Sequence, residues 1–346
     1  MSYLEQEIRE QPAAIERLLE LERPQVEQVA AMIRERDVRF VMIAARGTSD
    51  HAGLYAKYLL AAMNGLPVAL ATPSLYTFYR RPPQLRDTLV LAISQSGQSA
   101  DILEVVHEGN RQGALTVAIT NDVSSPLAQT AAMTLDLHAG PERAVAATKT
   151  YTTSLALLAL LSAVLAQDAE RLTRLERLPD DVQRTLSMAE EVIGPRSERY
   201  RFMENCVIIG RGYNYATAFE IALKLKELTY VVAMPYSSAD FLHGPMAVVE
   251  PGFPVVVTAP SGDVYADMVE FLRRLHERRA DMMVVSDRAE ALSVAQVGVP
   301  LPTGVPEWLS PVITVIPGQL LALHLTLAKG LEPDAPRGLS KVTITR

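Results

Sequence analysis

The chain has a single cysteine, Cys206, in 346 residues, so no intramolecular disulfide can form and no thiolate cluster can hold a metal. Histidine does not make up for it. His107, His138, His276 and His324 have no ligand companions in the sequence, and no metal site is expected. There is no excess of positive charge either: 33 Lys and Arg stand against 40 Asp and Glu, a net charge of −7. That balance gives no electrostatic footprint for nucleic acid or for an anionic membrane surface. The most apolar run, 155–166, is about twelve residues long, too short to cross a bilayer. The first ten residues are charged and amphipathic, unlike a secretory signal. A cytoplasmic enzyme-like protein is the expectation that remains.

What is present is a globular composition, 49% hydrophobic and 21% charged, with length for about two domains. An internal repeat organises it. A shift of 165 residues carries Ile43-Ala44-Ala45-Arg46-Gly47 onto Ile208-Ile209-Gly210-Arg211-Gly212. The same shift carries 89–93 with Ser96-Gly97 onto 254–258 with Ser261-Gly262, and 155–160 onto 320–325. Three segments at one offset indicate duplication of a unit of roughly 140 residues. Each copy reads as strand, helix, strand, helix, strand: 39–44, 50–64, 88–93, 99–112 and 114–119, then 205–209, 216–228, 253–259, 264–278 and 281–285. Continuous apolar strands alternating with amphipathic helices predict parallel sheets covered on both faces. The expected division is an N-terminal helical segment 1–30, a first α/β domain 31–170, a helical connector 171–199, a second α/β domain 200–331 and an irregular tail 332–346. Ligands of such sheets bind beyond the carboxyl ends of the strands.

Two constellations stand at those positions. Ser94-Gln95-Ser96-Gly97-Gln98-Ser99 follows an apolar strand and opens a helix, and Arg46-Gly47-Thr48-Ser49 does the same after the first strand. Ser and Thr there serve as ordinary helix caps, or as donors of an anion cradle at the helix N-terminus. The five donor-bearing side chains of the 94–99 loop exceed what one cap needs. The equivalent loop of the second copy, 258–262, has lost most of its hydroxyls and gained Pro260, so no phosphate is expected to bind there. Later in the chain Glu220, Lys224 and Glu227 fall at i, i+4 and i+7 on one helical face. Such stripes are common on solvated helices, yet the matching first-copy residues are Tyr55, Leu59 and Ala62, so the charges belong to one copy alone. His243, in a loop before an apolar strand, is a candidate proton shuttle or a surface residue. Lys341 in the tail is either terminal charge or an imine-forming amine. A phosphate cradle with an acid–amine–acid stripe suggests proton transfer on a small phosphorylated molecule.

These motifs resemble the sugar isomerase (SIS) superfamily. The resemblance runs through 45–49, 93–101, 146–150, 220–227, His243-Gly244-Pro245 and 336–341, in order over nearly the whole chain. More narrowly they are similar to the isomerase half of the glutamine–fructose-6-phosphate aminotransferases. The resemblance implies two flavodoxin-like SIS domains, a 6-phosphosugar substrate, no cofactor and no metal. It also implies a homodimer with the active site completed across subunits. By the same resemblance Thr48, Ser49, Ser94, Gln95, Ser96 and Ser99 bind the phosphate, and Val145 contacts the sugar through its backbone. Glu227 moves the proton between C1 and C2, with Glu220 and Lys224 beside it. His243 opens the ring, reaching in from the partner, and Lys341 forms an imine with the ketose.

Departures from the family are informative. Arg46 replaces a cysteine, Ala147 a serine, Ser99 a threonine, and Phe241-Leu242 a Leu-Lys pair. The chain opens at Met1-Ser2 and enters the isomerase region without a glutaminase, so glutamine hydrolysis is not expected of it. The expected reaction is conversion of glucosamine 6-phosphate to fructose 6-phosphate and ammonia. The alternatives are the isomerase part of glucosamine-6-phosphate synthesis, another phosphosugar ketose/aldose isomerase, a fructosamine-6-phosphate deglycase, or a non-enzymatic phosphosugar sensor.

Overall fold

The structure, a computed structural model, describes residues 1–341; the last five residues of the tail expected over 332–346 lie outside the described residues. Two five-stranded parallel sheets form the framework. The first comprises β1 (Phe40–Ala44), β2 (Val68–Leu70), β3 (Thr88–Ile93), β4 (Leu115–Thr120) and β5 (Met133–Asp136), in the order β2-β1-β3-β4-β5. The second comprises β6 (Asn205–Gly210), β7 (Val232–Ser237), β8 (Pro254–Thr258), β9 (Asp281–Ser286) and β10 (Val297–Pro300), in the order β10-β9-β8-β6-β7. Counted within each sheet, both orders are 2-1-3-4-5, the flavodoxin-like arrangement. The duplication is therefore visible strand by strand.

Buried centres and exposed edges explain what the sequence disclosed. Every residue of β3 and β4 is buried, which is why both read as unbroken apolar runs. The sequence reading found three strands per copy; the structure has five. The missed strands β2, β5, β7 and β10 are the four edge strands of the two sheets, and all but β7 have only three or four residues. β7 contains Pro235, which a central strand would not accept, and it lies at the sheet edge where a missing donor is tolerated. Helix Ala100–Arg111 buries Ile102, Val105, Val106 and Gly109, the i, i+3, i+4, i+7 stripe that predicted it.

All but the last residue of the run 155–166 lies within the buried helix Lys149–Leu165, and a second, longer apolar helix accompanies it. Helix Ser310–Ala328 is longer and, with the turn before it, long and apolar enough to span a membrane; 83% of its most apolar window is buried within the fold. Ser310, Thr314, Gln319 and His324 interrupt its apolar run and concealed it. Its Gly318 lies against Ile221 of helix Tyr215–Thr229, where a Cβ would collide.

The described chain divides into two compact units. One holds the first sheet and comprises 11–142, 149–179 and the tail from 340; the other holds the second sheet and comprises 1–10, 143–148 and 180–339. The N-terminal helices are split between them, with Tyr3–Arg9 in the second-sheet unit and Gln11–Leu21 and Arg23–Glu35 in the first. Within the second-sheet unit Asp334 fastens the first of these helices, accepting the N–H of Tyr3 at 2.7 Å and of Leu4 at 2.9 Å.

Candidate active site residues

In the first-sheet unit, β1 and β3 are parallel neighbours, so the loops leaving their carboxyl ends are adjacent. Arg46 links them, its guanidinium 2.7 Å from the buried Asp101 carboxylate. Helix Thr48–Asn64 starts at Gly47 and helix Ala100–Arg111 at Ser99, and neither uses a side chain as its N-cap. The loop hydroxyls close the turn instead: Ser94 Oγ accepts the Gly97 N–H at 3.1 Å and Ser96 Oγ the Gln98 N–H at 3.4 Å. The loop backbone is pinned: Ser94 N–H donates to Ile119, and the Gln95 carbonyl accepts the N–H of Asn121 at 3.1 Å. Gly97 has φ +61°, and a Cβ there would collide with the Ser125 side chain, so only glycine closes the turn. Ser94 is buried; Gln95, Ser96, Ser99, Thr48 and Ser49 are partly buried. In the first turn of the Thr48 helix, burial pushes the Asp50 carboxyl above its usual range, partly offset by His51 and Arg46.

Lys341 belongs to this unit as well. Its ammonium lies 2.8 Å from Glu142, whose carboxylate is fully buried. Glu142 also accepts the Thr150 hydroxyl at 2.8 Å and the Thr150 N–H at 3.1 Å. Sequence reasoning named Lys341 and missed Glu142, which stands 199 positions away.

In the second-sheet unit, helix Tyr215–Thr229 carries the charged stripe, and the solvated-helix reading fails for two of its three members. Glu220 and Lys224 are buried, with side-chain exposures of 0% and 1%, and Glu227 keeps 23%. The Lys224 ammonium bridges both acids, 3.4 Å from Glu220 and 2.6 Å from Glu227. Burying such charges is costly unless they are paired, and here the ammonium is paired with both acids, of which Glu227 alone is partly exposed. Val145 is also in this unit, on the segment 143–148. The buried Glu7 accepts the N–H groups of Arg143 and Ala144, and Gln319 donates to the Thr148 carbonyl at 3.5 Å. Nothing in the local sequence pattern announces that Glu7 and Gln319 hold the backbone of segment 143–148. His243 follows helix Ser238–Leu242 and is exposed, between the exposed Leu242 and Val248.

Thus the structure brings Glu220, Lys224 and Glu227 together on one helix face. It also places the loops at 46–49 and 94–99 side by side. Lys341 and the hydroxyl loops fall in one unit, and Val145, Glu220, Lys224, Glu227 and His243 in the other. Two further histidines are paired with acids: His138 lies 2.8 Å from Glu22 and 3.4 Å from Asp136, and His324 lies 2.9 Å from Glu190.

A duplicated parallel unit with hydroxyl loops at its strand ends defines a class, and the family follows from it. The SIS domain family model matches residues 32–164 and 203–329, and the chain belongs to that family. It is similar to the isomerizing glutamine–fructose-6-phosphate aminotransferase of Thermococcus kodakarensis, with 38% identity over 98% of this chain and 57% of that protein. The Aquifex aeolicus protein of the same name is 37% identical over 90% of this chain and 52% of its own length. The chain thus spans little more than half the length of the curated relatives it matches. Among solved structures, the C-terminal domain of glucosamine-fructose-6-phosphate aminotransferase from Francisella tularensis has a TM-score of 0.89 and 30% identity, covering 97% of this chain and 98% of that one. Glucosamine-6-phosphate deaminase from Thermotoga maritima has a TM-score of 0.82 at 20% identity, covering 99% and 100%, a likeness of fold alone.

Proposed function

We propose that the chain is an aminosugar-phosphate isomerase that converts glucosamine 6-phosphate to fructose 6-phosphate and ammonia. The observation that carries this reading is the buried Lys224 bridging Glu220 and the partly exposed Glu227, which joins a buried acid–amine pair to an acid that solvent can reach. In this reading Thr48, Ser49, Ser94, Gln95, Ser96 and Ser99 hold the phosphate, and the Val145 backbone contacts the sugar. His243 opens the ring. Glu227 then takes the C2 proton, made acidic by the C1 aldehyde, and returns it to C1. The product is the C2 imine of fructose 6-phosphate. Water adds to that imine and ammonia leaves; alternatively the Lys341 amine displaces ammonia first and water then frees the lysine. The substrate's own carbonyl and imine supply the activation, and the protein supplies placement and charge.

The reverse, synthetic direction, with ammonia delivered from another source, is favoured by the 38% identity to the aminotransferases. Purified protein given glucosamine 6-phosphate decides first: ammonia release matched by fructose 6-phosphate, lost in Glu227→Gln, supports the proposal. No release, but glucosamine 6-phosphate formed from fructose 6-phosphate with ammonium, moves the assignment to synthesis. We further propose a cytoplasmic homodimer in which the exposed His243 serves a second copy of this chain. Mixing Glu227→Gln with His243→Ala subunits then restores about a quarter of wild-type activity, since half the dimers are mixed and each holds one intact set. No restoration on mixing places His243 within its own chain.

A further inference from the structure

The duplication puts a second copy of the hydroxyl-loop region in the second-sheet unit, and its donors are already taken. Under the 165-residue shift, Gly47 becomes Gly212, Ser96-Gly97 becomes Ser261-Gly262, Asp122 becomes Asp287, and Pro141-Glu142 becomes Pro306-Glu307. The Glu307 carboxylate accepts the N–H of Asp263 at 2.6 Å and a further backbone hydrogen bond from Val264. It lies over Gly262, φ +154°, where a Cβ would collide with it, and a Cβ at Gly212 would come within 3.6 Å of its Oε1. Asp287 takes the neighbouring donors, the Ser261 N–H at 2.7 Å and hydroxyl at 2.6 Å. Backbone N–H groups and a serine hydroxyl at the start of helix Tyr265–Glu277 are the donors an oxyanion takes at a strand-to-helix turn. Here two carboxylates hold them.

Their first-copy counterparts are engaged differently. Asp122 accepts the N–H and hydroxyl of Ser124, at 2.9 and 2.6 Å. Glu142 serves Thr150 and Lys341. So the same two acidic positions cap a loop and grip a lysine in one unit, and occupy the cradle in the other.

We infer that the second-sheet unit contains an oxyanion cradle, of the kind that accepts a phosphate monoester, which the chain fills with Glu307 and Asp287 as tethered anions. The inference rests on the proposed phosphate role of the first-copy loops, and it makes the chain a one-phosphate protein despite its duplication. Burial holds the Glu307 carboxyl above its usual range, while the Asp263 and Val264 hydrogen bonds pull against that shift. A tethered occupant loses no translational freedom on filling the pocket, so free phosphate competes poorly with it.

Equilibrium dialysis of the full chain against inorganic phosphate tests this. Wild type is expected to take one phosphate per chain. The double variant Glu307→Ala/Asp287→Asn is expected to take one more than wild type, and Glu307→Gln, whose amide still fills the space, none beyond it. Equal uptake by wild type and the double variant overturns the inference, as does an extra phosphate in Glu307→Gln. If wild type takes none and the double variant takes one, the inference stands and the phosphate role of the first-copy loops falls. Should the double variant not fold in chloride buffer, refolding yields in phosphate and chloride are compared. Phosphate-dependent recovery supports the tethered-anion role, and equal failure in both overturns it.

Discussion

The two units share a strand order and a residue register, and differ in where charge has been placed. Helix Thr48–Asn64 carries Tyr55, Leu59 and Ala62 where helix Tyr215–Thr229 carries Glu220, Lys224 and Glu227. Tyr55 and Leu59 are as buried as Glu220 and Lys224. One fold position thus supports an apolar core in one unit and a paired acid and amine in the other. At the loop after the third strand the roles reverse, with hydroxyl donors retained at 94–99 and carboxylates set on the donors at 261–264. Duplication supplies two equivalent scaffolds, and a few charged side chains decide which chemistry each can hold.

Substitutions that make one unit resemble the other sharpen that contrast. The largest effect is expected at the partly exposed acid: Glu227→Gln lowers kcat by about 10²–10⁴-fold while phosphosugar binding persists, measured by turnover against ligand-induced thermal shift. Turnover near wild type would remove Glu227 from the proton transfer. Next is Lys224→Leu, which installs the first-unit residue and leaves Glu220 buried without its cation. Urea unfolding should then show a loss of about 3–5 kcal/mol. A loss under about 1 kcal/mol would mean that Glu220 and Glu227 do not depend on the amine for their burial.

Glu142→Gln withdraws the buried charge that holds Lys341 and should lower kcat by about tenfold, a misplacement effect. The distinguishing readout is borohydride trapping of a fructose 6-phosphate adduct on Lys341, which should fall in the same proportion. Trapping at wild-type yield would leave Glu142 a merely structural acid. The smallest effect is at Cys206, whose counterpart is Val41. Burial pushes its thiol up to about 12, so at pH 8 it is protonated and enclosed. Native protein should take up no iodoacetamide and denatured protein one equivalent. Cys206→Val should change stability by less than about 1.5 kcal/mol.

The sequence by itself determined the parallel strands β1, β3, β4, β6, β8 and β9, the helices beside them and the 165-residue register. Their signals are local, since a buried central strand must be apolar throughout and a half-buried helix must repeat every three to four residues. It also marked the hydroxyl loops and the stripe 220–227, because strand ends and helical spacing can be counted along the chain. It did not show the edge strands: they are half-exposed, β2, β5 and β10 have only three or four residues, and β7 carries a proline. Only the tertiary structure decided which charges are buried. Glu220 and Lys224 are spaced like a solvated pair, and only the packing of helix Tyr215–Thr229 against helix Ser310–Ala328 and the second sheet takes them out of water. In the same way Glu7 reaches Ala144, Glu142 reaches Lys341 and Glu307 reaches Asp263, across 137, 199 and 44 positions. A carboxylate's partner is whichever donor the fold brings within hydrogen-bonding distance, and spacing along the chain carries no record of that distance.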